Sequence, residues 1–305
     1  MKKVLVITGP TAVGKTSLSI QLAKYFAGEI ISGDSMQIYR QLDIGTAKVT
    51  EEEKEGVPHH LIDICDIGDR YSAADFQKQG RQKITEICNR GHLPIIVGGT
   101  GLYIQSLLYD YQLGSTQKEQ DHTLRHRYEA FAEREGSQAL FALLEEKDPL
   151  AAKKIHMNNQ RKIIRALEVK EKTGKSILAP EKVPEPLYDS FMIGLTTDRS
   201  LLHERINIRV DQMMQNGLLT EAELVKKYPD SQAAKGIGYK EFFPYFAREC
   251  DLTETAELIK RNSRRYAKRQ LTWFNNRMSF HWFDLVQKPQ EIAQIKKELT
   301  QWLEV

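Results

Sequence analysis

Over the first hundred residues, short apolar runs alternate with stretches of helical spacing. Val4, Leu5, Val6 and Ile7 form an apolar run closed by Gly9 and Pro10, which predicts a buried strand. Leu18, Leu22, Ala23 and Phe26 then recur at helical intervals, and Ile30 and Ile31 predict a second short strand stopped by Ser32, Gly33 and Asp34. From Tyr71 to Arg90, Phe76, Ile84 and Ile87 share a helical pattern that ends in Gly91. Pro94, Ile95, Ile96 and Val97 predict another strand, with a sharp turn at Gly98 and Gly99. Strands alternating with helices imply an α/β fold with a parallel sheet covered on both faces.

The pattern changes beyond residue 117. Gln117 to Thr173 carries few strand signals, many charges and helical spacing, and Ala179 to Pro186 holds three prolines in eight residues, as a linker or hinge does. Phe191 to Leu195 returns to strand character, and long helical patterns follow. The expected organisation is a core formed by residues 1–117 and 187–305, interrupted by a small all-helical insertion at 118–186.

Composition narrows the functional classes. Among 305 residues, 41% are apolar and 28% charged, as in a soluble globular chain. Forty-four Lys and Arg oppose 41 Asp and Glu, a net charge of +3, so any nucleic-acid surface must come from local clustering. Cys65, Cys88 and Cys250 are odd in number with no CxxC pair, which argues against a disulfide framework or a cysteine zinc site. The first apolar run is too short for a signal peptide, and no window reaches membrane-spanning length. A reduced, cytoplasmic protein is expected, without membrane contact.

The segment Gly9, Pro10, Thr11, Ala12, Val13, Gly14, Lys15 and Thr16 satisfies GxxxxGK[ST] in full, between a predicted strand and a predicted helix. In that context the backbone N–H groups and the helix N-terminus surround an anion. Lys15 supplies a point charge to the terminal phosphates, and the Thr16 hydroxyl can ligate Mg²⁺. The expected class is therefore a P-loop NTPase-like α/β core, with the reaction left open. Asp34 ends the second strand and should face this loop, as Mg²⁺ ligand, general base or helix N-cap. Thr100, after the third strand, brings a hydroxyl to the same rim, unless it only shapes its turn. His59 and His60 are adjacent on an extended segment and point to opposite sides, which favours a structural role over a shared metal.

Basic residues cluster late in the chain. Lys260, Arg261, Arg264, Arg265, Lys268, Arg269 and Arg277 fall within one helical stretch with no acidic residue between them. Such a stretch reads as a phosphate-facing surface, with a plain solvent face as the alternative. Arg161 and Arg165, one turn apart with Gln160 beside them, present a pair suited to backbone phosphates. Arg205 and Arg209 form a similar pair, and Lys235 opens a basic turn ending at Lys240. Either feature could close over a polyphosphate or simply form ion pairs.

Taken together, the chain resembles the tRNA dimethylallyltransferases, also called tRNA isopentenyltransferases. The resemblance is carried by GPTAVGKT at 9–16, GDSMQIYR at 33–40, PHHLID at 58–63, YSAADF at 71–76, VGGTGLY at 97–103, NNQRKIIRALE at 158–168, KGIGYKE at 235–241 and AKRQLTWF at 267–274. It implies transfer of a dimethylallyl group from dimethylallyl diphosphate to the exocyclic N6 amine of the adenosine 3′ of the anticodon in tRNA. It implies Asp34 as general base, Thr100 as a second polar contact, and Ser35, Met36 and Gln37 as the turn that meets the target nucleotide. Gln160, Arg161 and Arg165 match the stretch that contacts the anticodon arm, as does Arg125 in a less similar setting. The phosphate loop, with Lys15 and Arg209, would hold the diphosphate with Mg²⁺ as cofactor. Lys235, Arg264 and Lys268 would grip the RNA, and a monomer is expected. Two other readings stay open: an adenylate isopentenyltransferase acting on free nucleotide, which needs no helical insertion, and a P-loop small-molecule kinase. A third, a non-catalytic RNA-binding module, leaves the Asp34 and Thr100 rim unexplained.

Overall fold

The computed structural model describes residues 1–111, 123–178 and 184–305. In chain order the elements are β1 (Lys3–Thr8), α1 (Lys15–Tyr25), β2 (Gly28–Ser32), α2 (Glu51–Lys54), β3 (His59–His60), α3 (Ala73–Asn89), β4 (Leu93–Gly98) and α4 (Gly101–Leu108). A helical stretch follows: α5 (Thr123–Lys147), broken at Gly136, then α6 (Pro149–Ala152) and α7 (Gln160–Thr173). The chain then returns through β5 (Asp189–Leu195), α8 (Arg199–Gln215), α9 (Leu218–Lys226), α10 (Phe242–Phe246), α11 (Leu252–Arg277), β6 (His281–Phe283) and α12 (Glu291–Glu304).

The six strands form one sheet in the order β3-β2-β4-β1-β5-β6, and every pairing is parallel. The apolar runs anticipated at residues 4–7, 30–31, 94–97 and 191–195 all lie in it. Two-residue β3 and three-residue β6 complete the edges, too short to register as apolar runs. Side chains alternate between the sheet's faces. Val4, Val6, Ile31 and Ile96 belong to one core with Phe76, Tyr103 and Phe274. Leu5, Ile7, Ile30 and Ile95 belong to the other, under Leu18, Leu22 and Ile206. Each layer is thus anchored by fully buried aliphatic side chains.

The chain divides into two compact units, Met1–Gly114 with Glu185–Val305, and Ser115–Pro184. The second has its own core, in which Tyr128, Leu140 and Leu144 of α5 pack with Ile163, Ile164 and Leu167 of α7. Of the proline-rich stretch at 179–186, residues 179–183 lie outside the described residues. In the first unit, Tyr109 forms a bridge with Pro186, flanked by Asp110 N–H to Glu185 O at 2.9 Å and Leu187 N–H to Leu108 O at 2.9 Å. Among the described residues, no helix is long and apolar enough to cross a membrane.

Candidate active site

Parallel strands deliver their carboxyl ends to one edge of the sheet, and ligands gather where the connections diverge to either side. Here that point is β1, which has β4 on one side and β5 on the other. The turn from β1 to α1 is the phosphate loop. Gly9 has a φ of 142°, and a Cβ there would stand 2.4 Å from Leu195 O, so the loop passes β5 at a distance only glycine permits. Gly14 caps α1 in the left-handed region, at φ 90°. Ala12 is also left-handed, at φ 67°, and Arg205 from α8 donates to its carbonyl at 2.7 Å.

Lys15 folds back over this loop, donating from Nζ to Gly9 O at 2.9 Å and to Pro10 O at 2.6 Å. Burial, and then the charge of Arg209, push its pKa down to about 8, against an opposing pull from Asp34. Burial lowers Arg209 too, and Asp34 acts to restore it. Two cations and one carboxylate are therefore near enough to sense one another. Thr16 lies exposed at the start of α1. No group of three or more His, Cys, Asp or Glu among the described residues could hold a metal. A hydroxyl that shares Mg²⁺ with substrate oxygens is nevertheless a donor set this ion accepts.

Asp34 sits in the turn after β2. Its Oδ1 accepts from Met36 N–H at 2.8 Å and Gln37 N–H at 3.4 Å, so one oxygen shapes the turn and Oδ2 takes no part in it. Gln37 is anchored in turn by Ser32, whose hydroxyl donates to Oε1 at 3.0 Å. The β2 and β4 turns meet where Gly33 N–H donates to Val97 O at 2.7 Å. A Cβ on Gly98 would come within 2.3 Å of Gly33 O, so this approach also depends on glycine. Across the join, Ser35 N–H donates to Thr100 Oγ1 at 3.1 Å. Asp34 and Thr100, far apart in sequence, thus form one rim beside the phosphate loop. Met36 reaches the basic turn at 235–241, where a Cβ on Gly236 would lie 2.4 Å from its Cε. Lys235 is exposed on that turn.

Helix α11 closes the other side. Gln270 donates from Nε2 to Gly99 O at 3.0 Å, and a Cβ on Gly101 would meet the Trp273 ring at 2.2 Å. Tyr266 senses the charge of Asp34, and burial, the larger cause, pushes its phenol up to about 12. Lys268 and Arg265 are exposed on this helix, while Arg264 donates to Asn207 at 2.5 Å. Lys260 departs from the basic face expected of it. It bonds Asp211 at 2.8 Å and Glu257 at 2.9 Å, partners that lie outside the basic stretch.

The sequence profile of the IPP transferase family matches residues 37–277. This chain belongs to that family. A tRNA dimethylallyltransferase of Enterococcus faecalis is 64% identical over 304 residues, covering 100% of this chain and 98% of the relative. A solved tRNA isopentenylpyrophosphate transferase from Bacillus halodurans superposes with a TM-score of 0.76 at 48% identity, covering 100% of this chain and 97% of its own. A eukaryotic dimethylallyltransferase, captured in crystallographic snapshots acting on tRNA, gives a TM-score of 0.82 at 32% identity. Those snapshots cover 97% of this chain and 78% of the eukaryotic one.

Within this IPP transferase the remaining expected residues lie in the helical unit. Arg161 and Arg165 are exposed on α7, Gln160 opens that helix and is half-buried, and Arg125 lies on α5. Arg125 and Arg165 flank the buried carboxylate of Glu168, at 3.1 and 3.8 Å. The histidine pair is structural. His60 Nε2 meets the buried Glu29 carboxylate at 2.6 Å, and Arg90 and His92 occupy the rest of it at 2.7 Å each. His59 turns back to Val57 O at 2.8 Å. Reading the sequence missed Tyr266 and Gln270 as members of the site. Their only signal was a shared helical face with Trp273, which does not say what the face meets.

Proposed function

We propose that this chain transfers a dimethylallyl group from dimethylallyl diphosphate to the exocyclic N6 amine of the adenosine 3′ of the anticodon in tRNA, releasing diphosphate. The observation that carries the reading is the joined rim of Asp34 and Thr100, opening beside a phosphate loop whose Lys15 and Arg209 share its field. Family membership and the activities named for the relatives support the same reaction.

An adenine amine is a weak nucleophile because its lone pair is delocalised into the ring. In the proposed step the C1–O bond of the dimethylallyl diphosphate breaks, and its electron pair leaves with the diphosphate. The N6–C1 bond forms, and the N6 proton passes to the Asp34 carboxylate. Lys15, Arg209 and the loop N–H groups neutralise the departing charge. Thr16 would hold Mg²⁺, whose charge would add to that neutralisation. Ser35, Met36 and Gln37 flank the base, which leaves the RNA stack to reach the rim. Arg125, Gln160, Arg161, Arg165, Lys235, Arg264 and Lys268 contact the RNA. The helical unit favours RNA over a free nucleotide as acceptor, and the Asp34–Thr100 rim favours transfer over passive binding.

The test is label transfer from dimethylallyl diphosphate, with Mg²⁺, to an unmodified anticodon stem-loop, with AMP as parallel acceptor. Label in the RNA alone is expected; label in AMP, or in neither, overturns the proposal. In the same assay Asp34→Asn should lower the single-turnover rate about 100-fold or more while RNA affinity stays within a few-fold.

A further inference from the structure

Glu221, on α9, is an enclosed carboxylate, only 7% exposed. Its two oxygens take four donors. Oε1 accepts from Asp43 N–H at 2.7 Å and Ile44 N–H at 2.6 Å, and Oε2 accepts from Gly45 N–H and the Tyr239 hydroxyl at 2.9 Å each. Three successive backbone N–H groups thus converge on one side chain, as they do on a bound anion. Such charge-assisted bonds are the stronger kind, and they strengthen further away from water. Tyr239 is itself buried, and a Cβ on Gly45 would stand 2.6 Å from its hydroxyl oxygen. The loop at 43–47 and the turn at 235–241 therefore close directly on each other, with Glu221 at the joint.

Both segments bear on the turn that follows Asp34. Gln37 donates from Nε2 to Thr46 O and Ala47 O, at 3.4 Å each. Met36 meets the other segment at Gly236. The backbone N–H groups of the same two residues, Met36 and Gln37, are the ones that hold Asp34 Oδ1. Two supports of the turn thus end on one carboxylate, and slack in either would reach Asp34.

We propose that Glu221 is a positioning residue for the transfer reaction, fixing the 43–47 loop and, through Tyr239, the 235–241 turn, so that Met36 and Gln37 keep Asp34 aligned with the reacting amine. This inference rests on the transfer reading above and adds to it a residue that acts only through others.

The experiment measures single-turnover transfer at saturating stem-loop and prenyl diphosphate, with prenyl-diphosphate affinity and the thermal midpoint recorded beside it. Tyr239→Phe removes one of the four donors and keeps the ring; it should lower the rate about tenfold, with prenyl-diphosphate affinity within about twofold. Glu221→Gln turns an NH2 group toward backbone donors and should lower the rate about 100-fold with the same affinity retained. In an Asp34→Asn background, Tyr239→Phe should cost less than about twofold, because the carboxylate it aligns is gone. A merely structural role would lower stability and cost the same in both backgrounds. A Tyr239→Phe rate within twofold of the wild type overturns the proposal. An equal loss in the Asp34→Asn background, or a parallel loss of prenyl-diphosphate affinity, also overturns it. Should Glu221→Gln fail to fold, Tyr239→Phe in the two backgrounds decides alone. If the wild type fails to prenylate the stem-loop, the function proposed above fails instead.

Discussion

Lys15 shows how one side chain can be set for its ligand before that ligand arrives. Burial and Arg209 bring its pKa to about 8, so free enzyme loses this charge as pH rises through 8. An incoming diphosphate favours the charged form and restores it. Donor affinity should therefore fall above about pH 8, and binding at pH 8.5 should take up protons, visible as a dependence of calorimetric heat on the buffer's ionisation enthalpy. In Lys15→Arg, which stays charged throughout, both effects should vanish. This residue was legible from sequence because the phosphate loop is contiguous, and eight neighbouring residues carry its whole logic. Tyr266 was not, because its place in the site depends on a turn 160-odd positions away in the chain. Lys260 was misjudged for a related reason: Asp211, on α8, supplies the counter-charge that its own stretch lacks.

At the scale of elements, packing turns local pattern into a site. The strands were readable where apolar residues run together, even as the pair Ile30 and Ile31 in β2, while β3 and β6 rest on pairing with longer neighbours. Helix α11 was readable as a helix, but its partner was not, since glycines record a close approach without naming what approaches. Gly101 is the clearest case: the Trp273 ring occupies the space of a Cβ at 2.2 Å. Gly101→Ala should push α11 from the turn, costing about 1–3 kcal/mol in unfolding free energy by denaturant titration, with a matching loss of transfer. At the opposite end of the strands Glu29 joins β2 to Arg90, His60 and His92. Hydrogen bonding from Arg90, the largest cause, holds its pKa down to about 2. A depressed carboxylate pKa stabilises the fold above the ordinary value of 4.5 and loses that contribution as pH falls toward 2. Glu29→Gln should cost about 2 kcal/mol at pH 7, and its stability should converge with the wild type's at acid pH.

At the scale of the whole molecule, the loss of strand signals after residue 117 made the helical stretch legible, and its arginines carry the expected grip on RNA. Arg161 is exposed on α7, so Arg161→Ala should weaken stem-loop binding and reduce the log–log salt slope by about 1. Turnover at saturating RNA should stay within twofold; an unchanged slope would remove Arg161 from the phosphate contacts. The division of the chain has a further consequence in how it is threaded. The bridge between Tyr109 and Pro186, with the flanking bonds at Asp110 and Leu187, brings the two ends of the core's interrupted segment side by side. A cut there followed by a short glycine–serine joint asks almost no rearrangement of the sheet or of the phosphate loop. The helical unit is therefore a cassette: the gap it leaves can be closed, and another module can be spliced in at the same seam.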